Sequence, residues 1–277
     1  MTKIGILHPG AMGISVAATI KNGGHTVYWA SDGRSADTAK RAAEHGLQDA
    51  GSVAALCQSC EIIVSVCPPH AAEDVAREVV GHGFQGIYID GNAISPMRAK
   101  QIDAIVTTAG ATFVDGGIIG GPAWKRGTTW LYLSGEAAET AVSIFAAGPL
   151  ETEVLGPEIG QASALKMCFA AYTKGTTALL SAILGAADNL GVWPALQEQW
   201  RRYEWELADS APERVRRVTA KAWRFAGEME EIAATLDAAG MPDGFHKAAG
   251  DVYRRTAHFK NASAVPELAE VLAALQS

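Results

Sequence analysis

The hydrophobic pattern of the chain changes character near its middle. In the first half, short apolar runs at 3–7, 26–30, 62–67 and 87–90 predict strands, and 12–22, 35–45, 52–58 and 70–80 carry helical patterns between them. Strands separated by helices of about ten residues predict a right-handed βαβ array with a parallel sheet. Runs at 112–114, 129–134 and 150–155 extend that sheet, with a covering helix over 136–145. From Gly160 onward no strand pattern follows. Residues 162–190 are rich in Ala and Leu and contain no Pro, which predicts one helix of about 28 residues, or about 42 Å. Shorter helical patterns follow at 194–207, 211–225, 228–239, 244–259 and 266–275. The expected organisation is an α/β domain over 1–158 followed by an all-α domain over 159–277.

The chain has 277 residues, long enough to bury a core without metal or disulfide staples. Hydrophobic residues at 48% against 19% charged residues make it globular rather than disordered. A net charge of −7 with no compensating basic patch argues against nucleic acid or an anionic membrane as partner, and leaves a small-molecule substrate. Four cysteines are too few for a secreted disulfide scaffold of this length, so reduced thiols and a cytoplasmic location are expected. Cys57 and Cys60 have the C-x-x-C spacing without a second ligand pair, and read as a helix end. Histidines are scattered without ligand spacing, so no metal is expected. The opening MTKIGILHPG passes directly into an apolar strand, so it is not expected to act as a signal peptide. No apolar run of roughly 18 residues is present, so no membrane span is expected.

The strongest chemical signal is Gly5-Ile-Leu-His-Pro-Gly-Ala-Met-Gly13, between the first strand and the first helix. A helix N-terminus leaves backbone N–H groups unpaired and carries partial positive charge, so a pyrophosphate binds there; glycines permit the tight turn and close approach. In the G-x-G-x-x-G frame the chain has His8, Gly10 and Gly13, with Ala11 and Met12 between the two glycines. His replaces the first glycine, and the plain alternative is an ordinary strand–helix turn. The βαβ setting favours a Rossmann-like dinucleotide loop. After the second strand, Ser31, Arg34 and Ser35 could cradle the 2′-phosphate of NADP, provided Asp32 points outward; NAD remains possible. The alternative is that Ser35 caps the next helix and Arg34 is solvated.

These residues and four further segments resemble the β-hydroxyacid dehydrogenase and 6-phosphogluconate dehydrogenase superfamily, which includes 3-hydroxyisobutyrate dehydrogenases and imine reductases. Within it the chain looks closest to an uncharacterised NAD(P)-binding branch. Ser65-Val-Cys-Pro-Pro69 is similar to the loop lining the cofactor riboses, which implies roles for Cys67 and Pro68. Ile89-Asp-Gly-Asn92-Ala-Ile-Ser-Pro96 is similar to the family's D-x-S-T-x-S-P turn, which implies Asn92 near nicotinamide and substrate. Phe113-Val-Asp115-Gly-Gly-Ile-Ile119-Gly120-Gly121-Pro122 resembles the substrate loop D-A-P-V-S-G-G, with the Gly120 and Gly121 N–H groups facing substrate. Gly160-Gln-Ala-Ser-Ala-Leu-Lys166 resembles the start of the interdomain helix that carries the catalytic lysine. Two positions depart from the family: its loop Ser falls at Ile119 and its helix Asn at Ala170, which puts a simple 3-hydroxy acid substrate in doubt.

The resemblance implies an NADP-dependent oxidoreductase with its site in the cleft between the domains and Lys166 as proton donor. It also implies a homodimer through the helical domain. An imine reductase and a non-enzymatic nucleotide-binding sensor are the alternatives. On the helical wheel Ser163 and Thr173 share the face of Lys166, whereas Tyr172 lies off it and reads as core. Trp124-Lys125-Arg126 could close over a substrate, and Trp193, Trp200, Trp205 and Trp223 at helical spacing read as core rather than pocket.

Overall fold

Strand β1 (Lys3–Leu7) is buried from Ile4 onward, and the sheet grows from it in both directions. The computed structural model describes residues 1–276 and divides the chain into two units, Met1–Met167 and Cys168–Ser277. In chain order the first unit contains β1, α1 (Ala11–Asn22), β2 (Thr26–Trp29), α2 (Ala36–Glu44), β3 (Gln48–Asp49), α3 (Val53–Ser59), β4 (Ile62–Ser65) and α4 (Ala72–Gly81). It continues with β5 (Ile87–Asp90), α5 (Pro96–Thr108), β6 (Thr112–Gly120), β7 (Thr129–Ser134), α6 (Ala138–Val142) and β8 (Glu151–Gly156). The sheet order is β3-β2-β1-β4-β5-β6-β7-β8. All neighbours run parallel except β6 and β7, which form an antiparallel pair.

Alternate residues of each strand feed opposite helical layers, because successive side chains point to opposite faces. Ile4, Ile6, Val64, Ile89 and Val114 join α1 and α6, while Leu7, Ile63, Tyr88 and Phe113 join α3, α4 and α5. This explains why the strands read as continuous apolar runs rather than as alternation.

Three features of this unit differ from the sequence expectation. α5 carries no evident pattern in the sequence reading, yet Ser95 caps it, Pro96 opens it, and Ala99, Ile102 and Val106 form a narrow buried stripe. β3, two residues long, is a strand that the sequence pattern does not predict. β6 continues past Val114 to Gly120, because Gly116 and Gly117 bring it against neighbouring backbone and β7 pairs along its far end. Cys60 terminates α3 as expected.

α7 (Gln161–Asn189) begins in the first unit and continues into the second, where α8 (Trp193–Tyr203), α9 (Trp205–Ala238), α10 (Gly244–Arg255) and α11 (Leu268–Gln276) follow. By length and composition α7 is apolar enough to cross a membrane, unlike the sequence expectation. Its polar groups nonetheless bond within their own units: Ser163 to Asp115, Lys174 to Glu228, and Thr177 to Arg214. That is the pattern of a core helix.

The two helices expected at 211–225 and 228–239, together with the end of the one expected at 194–207, are a single helix, α9, that runs through Pro212. Proline has no N–H to give to the carbonyl four residues back. Here that carbonyl, Ala208, accepts the side-chain amide of Gln197 from α8 at 3.3 Å, so the missing donor is replaced.

Candidate functional site

β1 ends at Leu7 and α1 starts at Ala11, so His8, Pro9 and Gly10 make the whole turn. Gly13 is sterically required: a Cβ there would lie 2.1 Å from the His8 carbonyl oxygen. Gly10 faces open space. α1 has no side-chain cap and no acidic residue in its first turn, which leaves the orphan N–H groups around Ala11, Met12 and Gly13 suited to an anion. Burial, and then the charge of Arg34, lower the His8 pKa to about 4, so the imidazole is neutral at physiological pH. The loop therefore attracts anions through backbone dipoles and neighbouring arginines rather than through His8.

Ser31 accepts the Arg34 N–H on its carbonyl at 3.1 Å, in a turn that passes through Gly33 at φ +68°. Only glycine adopts that angle without strain. Ser35 caps α2, its Oγ accepting the Thr38 N–H at 3.3 Å, so this member of the expected cradle performs the helix-cap role. Arg34 is close enough to act electrostatically on both His8 and Cys67, the loops after β1 and β4. The sequence reading missed Arg41. Its Nε donates to the Pro9 carbonyl at 3.5 Å and its Nη2 to Thr38 Oγ1 at 3.1 Å, linking α2 to the dinucleotide loop. The signal was present in the spacing, since Thr38 and Arg41 are one helical turn apart.

The loop after β4 and the turn after β5 are tied together by Asn92. Its Oδ1 accepts the Cys67 N–H at 2.5 Å, and its Nδ2 donates to Asp90 Oδ2 at 2.9 Å and Ser65 Oγ at 3.2 Å. Its backbone N–H donates to Asp90 Oδ1 at 2.8 Å, and the residue is 1% exposed. The buried Asp90 carboxyl two residues earlier holds the amide inward, so Asn92, which the resemblance sets near nicotinamide and substrate, braces the turn between these loops. Burial raises the Asp90 pKa to about 7 despite both Asn92 bonds. Burial likewise raises the Cys67 thiol to about 12, so it stays protonated and unreactive. Pro68 leads into a short 3-10 turn that begins at Pro69.

Lys166 lies in the second turn of α7, and its Nζ donates to the Ile118 carbonyl of β6. The approach is possible because Gly117 has no side chain: a Cβ there would lie 2.5 Å from the Ala162 carbonyl oxygen and 3.2 Å from Lys166 Cβ. Beyond Ile118 the chain reaches Gly120, at φ +126°, and exposed Gly121. Lys166, Gly120 and Gly121 are thus set along one strand end. Ile119 is half-buried and Ala170 is buried.

Ser163 does not turn toward Lys166 as the wheel suggested. Its Oγ donates to Asp115 Oδ1 at 2.6 Å, and Asp115 Oδ2 accepts the N–H groups of Ser163 and Gly160, each at 3.0 Å. The Ser134 hydroxyl also donates to Oδ2 at 3.0 Å and accepts the Ala162 N–H at 3.1 Å. Burial raises the Asp115 pKa while these donors pull it back. Tyr172 is 73% exposed rather than core. Trp124 stacks on His45, after the end of α2, at 5.1 Å between ring centres. Trp205 is exposed, whereas Trp193 and Trp200 pack edge to face.

Residues 3–147 match the model of the NAD binding domain of 6-phosphogluconate dehydrogenase. The chain belongs to this family. Residues 187–256 match a domain of unknown function, DUF1932. An uncharacterized 28.5 kDa protein from Methanothermus fervidus is 33% identical over 166 residues, which are 60% of this chain and 63% of that protein. The chain therefore matches less than two thirds of that relative's length. Among solved structures, the conserved protein MTH1747, described as structurally similar to 3-hydroxyacid dehydrogenases, is 29% identical with a TM-score of 0.68, covering 94% of this chain and all of that one. The 3-hydroxyisobutyrate dehydrogenase of Mycobacterium tuberculosis shares the fold at 18% identity and a TM-score of 0.69 over the full length of both chains. An imine reductase from Myxococcus stipitatus, solved with NAD+, shares it at 17% identity and a TM-score of 0.56, covering all of this chain and 99% of that one. The NAD(P)-binding dehydrogenase fold is thus shared by hydroxyacid dehydrogenases and imine reductases.

Proposed function

We propose that the chain is an NADP-dependent oxidoreductase that exchanges hydride with a small carbonyl or hydroxy compound, with Lys166 as the catalytic residue. The observation that carries this reading is the docking of Lys166 Nζ on the Ile118 carbonyl, in line with Gly120 and Gly121 at the end of β6. The residues fit the cofactor: Gly13 permits only hydrogen beside His8, and α1 presents an uncapped N-terminus. Arg34 and Arg41 would hold the 2′-phosphate, with Ser31 beside Arg34 in the turn, and Asp32, like Arg34, is exposed. When bound, reduced nicotinamide supplies the hydride. Lys166 donates a proton to the oxygen that gains charge, and the ammonium stabilises that charge beforehand. Gly120 and Gly121 orient the same oxygen through their N–H groups. Cys67, Pro68 and Asn92 shape the cofactor side without chemistry of their own.

The absence of a hydroxyl at Ile119 and of an amide at Ala170 favours, as a second reading, a neutral imine substrate over a carboxylate-bearing one. A homodimer is part of the proposal. In the second unit Phe169, Tyr172 and Leu179 fall on one face of α7 at helical spacing and are exposed, as are Leu190 just after the helix and Trp205. Four free thiols accord with a reducing, cytoplasmic setting.

The test is a fluorescence titration with NADPH and NADH, followed by a turnover screen over 3-oxo acids, aldehydes, ketones and cyclic imines. NADPH is expected to bind more tightly, and Arg34→Ala and Arg41→Ala each to weaken it by about 1–3 kcal/mol with little effect on NADH. Lys166→Met should keep NADPH affinity and lower kcat by about 10²–10⁴-fold. Tighter NADH binding removes the NADP assignment. Binding without turnover of any substrate leaves a sensor.

A further inference from the structure

We propose that Asp115 is the positioning residue for Lys166: by capping the first turn of α7 from β6 it sets where the lysine ammonium sits. This rests on the reading of Lys166 above for its consequence in catalysis, though not for its geometry.

A helix leaves its first N–H groups without internal partners, and a local Ser, Thr, Asp or Asn ordinarily accepts one of them. α7 begins after Gly160, which has no side chain to do so. The acceptors come instead from the sheet. Asp115 takes the N–H groups of Gly160 and Ser163, and Ser134 Oγ takes that of Ala162 while itself donating to Asp115. The Ser163 hydroxyl donates to the other carboxylate oxygen at 2.6 Å. Asp115, Ser134 and Ser163 are all fully buried. Bonds of this kind to an ionised acceptor are roughly twice as strong as neutral ones, and the charge also complements the positive end of the helix dipole.

The same two elements make a second contact three residues further along each. Asp115 to Ser163 is one rung, and Ile118 to Lys166 is the next. Gly117, between them, lets the helix lie directly on the strand. The lower rung is a polar clamp of backbone and short side-chain groups, whereas the upper rung is reached by the long, flexible Lys166 side chain. Fixing the lower rung therefore fixes the origin and direction of the lysine stem. Displacement of a catalytic group by about 1 Å costs about 10²-fold in rate, so a loosened clamp should be read in turnover and in the reactivity of the amine, not in cofactor binding.

The test is a double-mutant cycle of Asp115→Asn with Lys166→Met, with Ser163→Ala as a milder variant that removes only the hydroxyl bond. Expected for Asp115→Asn are a folded protein, NADPH affinity within about twofold, and kcat lowered about 10–100-fold; in the Lys166→Met background the same change should alter kcat less than about twofold. An equal loss in both backgrounds overturns the proposal, as does no loss in either. If Asp115→Asn fails to fold, Ser163→Ala enters the cycle in its place and must show the same dependence on Lys166. A second readout needs no turnover: the acylation rate of Lys166 in the cofactor-free protein, followed by mass spectrometry with exposed Lys125 as internal reference. It should change by about threefold or more in the variants while Lys125 does not. An unchanged Lys166 rate overturns the proposal. Loss of the labelling difference refutes positioning by Asp115, whereas a harmless Lys166→Met refutes the proton-donor reading, so the two failures are separate.

Discussion

His8 and Asp90 give the stability of the first unit opposing pH dependences that can be separated by substitution. Burial and Arg34 lower the His8 pKa from 6.5 to about 4. In the unfolded chain the imidazole is protonated below pH 6.5, whereas the folded protein resists the proton until about pH 4. The unfolded state thus binds more protons across this window, so stability rises with pH from about 4 to 6.5 and the contribution is complete above it. At about 1.4 kcal/mol per pH unit the gap is worth roughly 3 kcal/mol, an upper bound because His8 is only half-buried. Asp90 behaves oppositely. Its pKa rises from 3.8 to about 7, chiefly through burial, so the folded state holds a proton that the unfolded state has lost. Its contribution makes stability fall between about pH 4 and 7, by an amount on the order of 4 kcal/mol. Asp115 is raised by burial as well and acts in the same direction. Urea unfolding at half-unit steps from pH 4 to 7.5, for the wild type, His8→Gln and Asp90→Asn, separates the terms. The wild-type-minus-His8→Gln difference should climb between pH 4 and 6.5, by at most roughly 3 kcal/mol, and then level off. The Asp90→Asn difference should run the other way. A flat His8 difference, or one that falls with pH, would refute the environment assigned to the dinucleotide loop.

Two shorter predictions concern the second unit. Gln197→Ala should cost about 1–3 kcal/mol, the penalty for an orphaned buried carbonyl at Ala208, and much less in a Pro212→Ala background where the helix regains its own N–H donor; equal costs in both backgrounds, measured by urea unfolding, would dismiss the replacement bond. Light scattering at micromolar concentration should return twice the 29.0 kDa chain mass, and Tyr172→Lys should shift it toward the monomer; a wild-type monomer removes the homodimer.

What the sequence conveyed depended on how local each feature is. The strands of the first unit are apolar runs that stand out on their own, and the glycine spacing from Gly10 to Gly13 carries its steric reason within four residues. α5 was obscured because its buried stripe is only Ala99, Ile102 and Val106 among polar residues, although Ser95-Pro96 announced its start. Pro212 suggested a helix end because the compensating amide of Gln197 comes from another helix. Arg41 was legible at i+3 from Thr38 but looked like a solvated charge until the Pro9 carbonyl was placed beside it. The capping of α7 could not be read at all, since Asp115 and Ser163 are 48 positions apart.

The least legible residues share one physical position. Asp90, at the end of β5, and Asp115, inside β6, are register partners, both fully buried. A sequence reader looks to polar residues near strand ends for groups that touch ligand, and Asn92 invites that reading. Buried carboxylates do something different: they must collect several donors to exist there at all, and the donors they collect become fixed. Asp90 collects Asn92, which holds the Cys67 N–H and so the loop after β4, on the side proposed for the cofactor. Asp115 collects the start of α7, and so the helix that carries Lys166, on the side proposed for substrate. The two acids thus divide the candidate site between them, each acting through a neighbour. Their protonation carries a different consequence on each side, since protonating Asp90 removes one acceptor site from the Asn92 brace, whereas protonating Asp115 weakens the charge-assisted bonds at the start of α7, the bonds proposed to position the lysine.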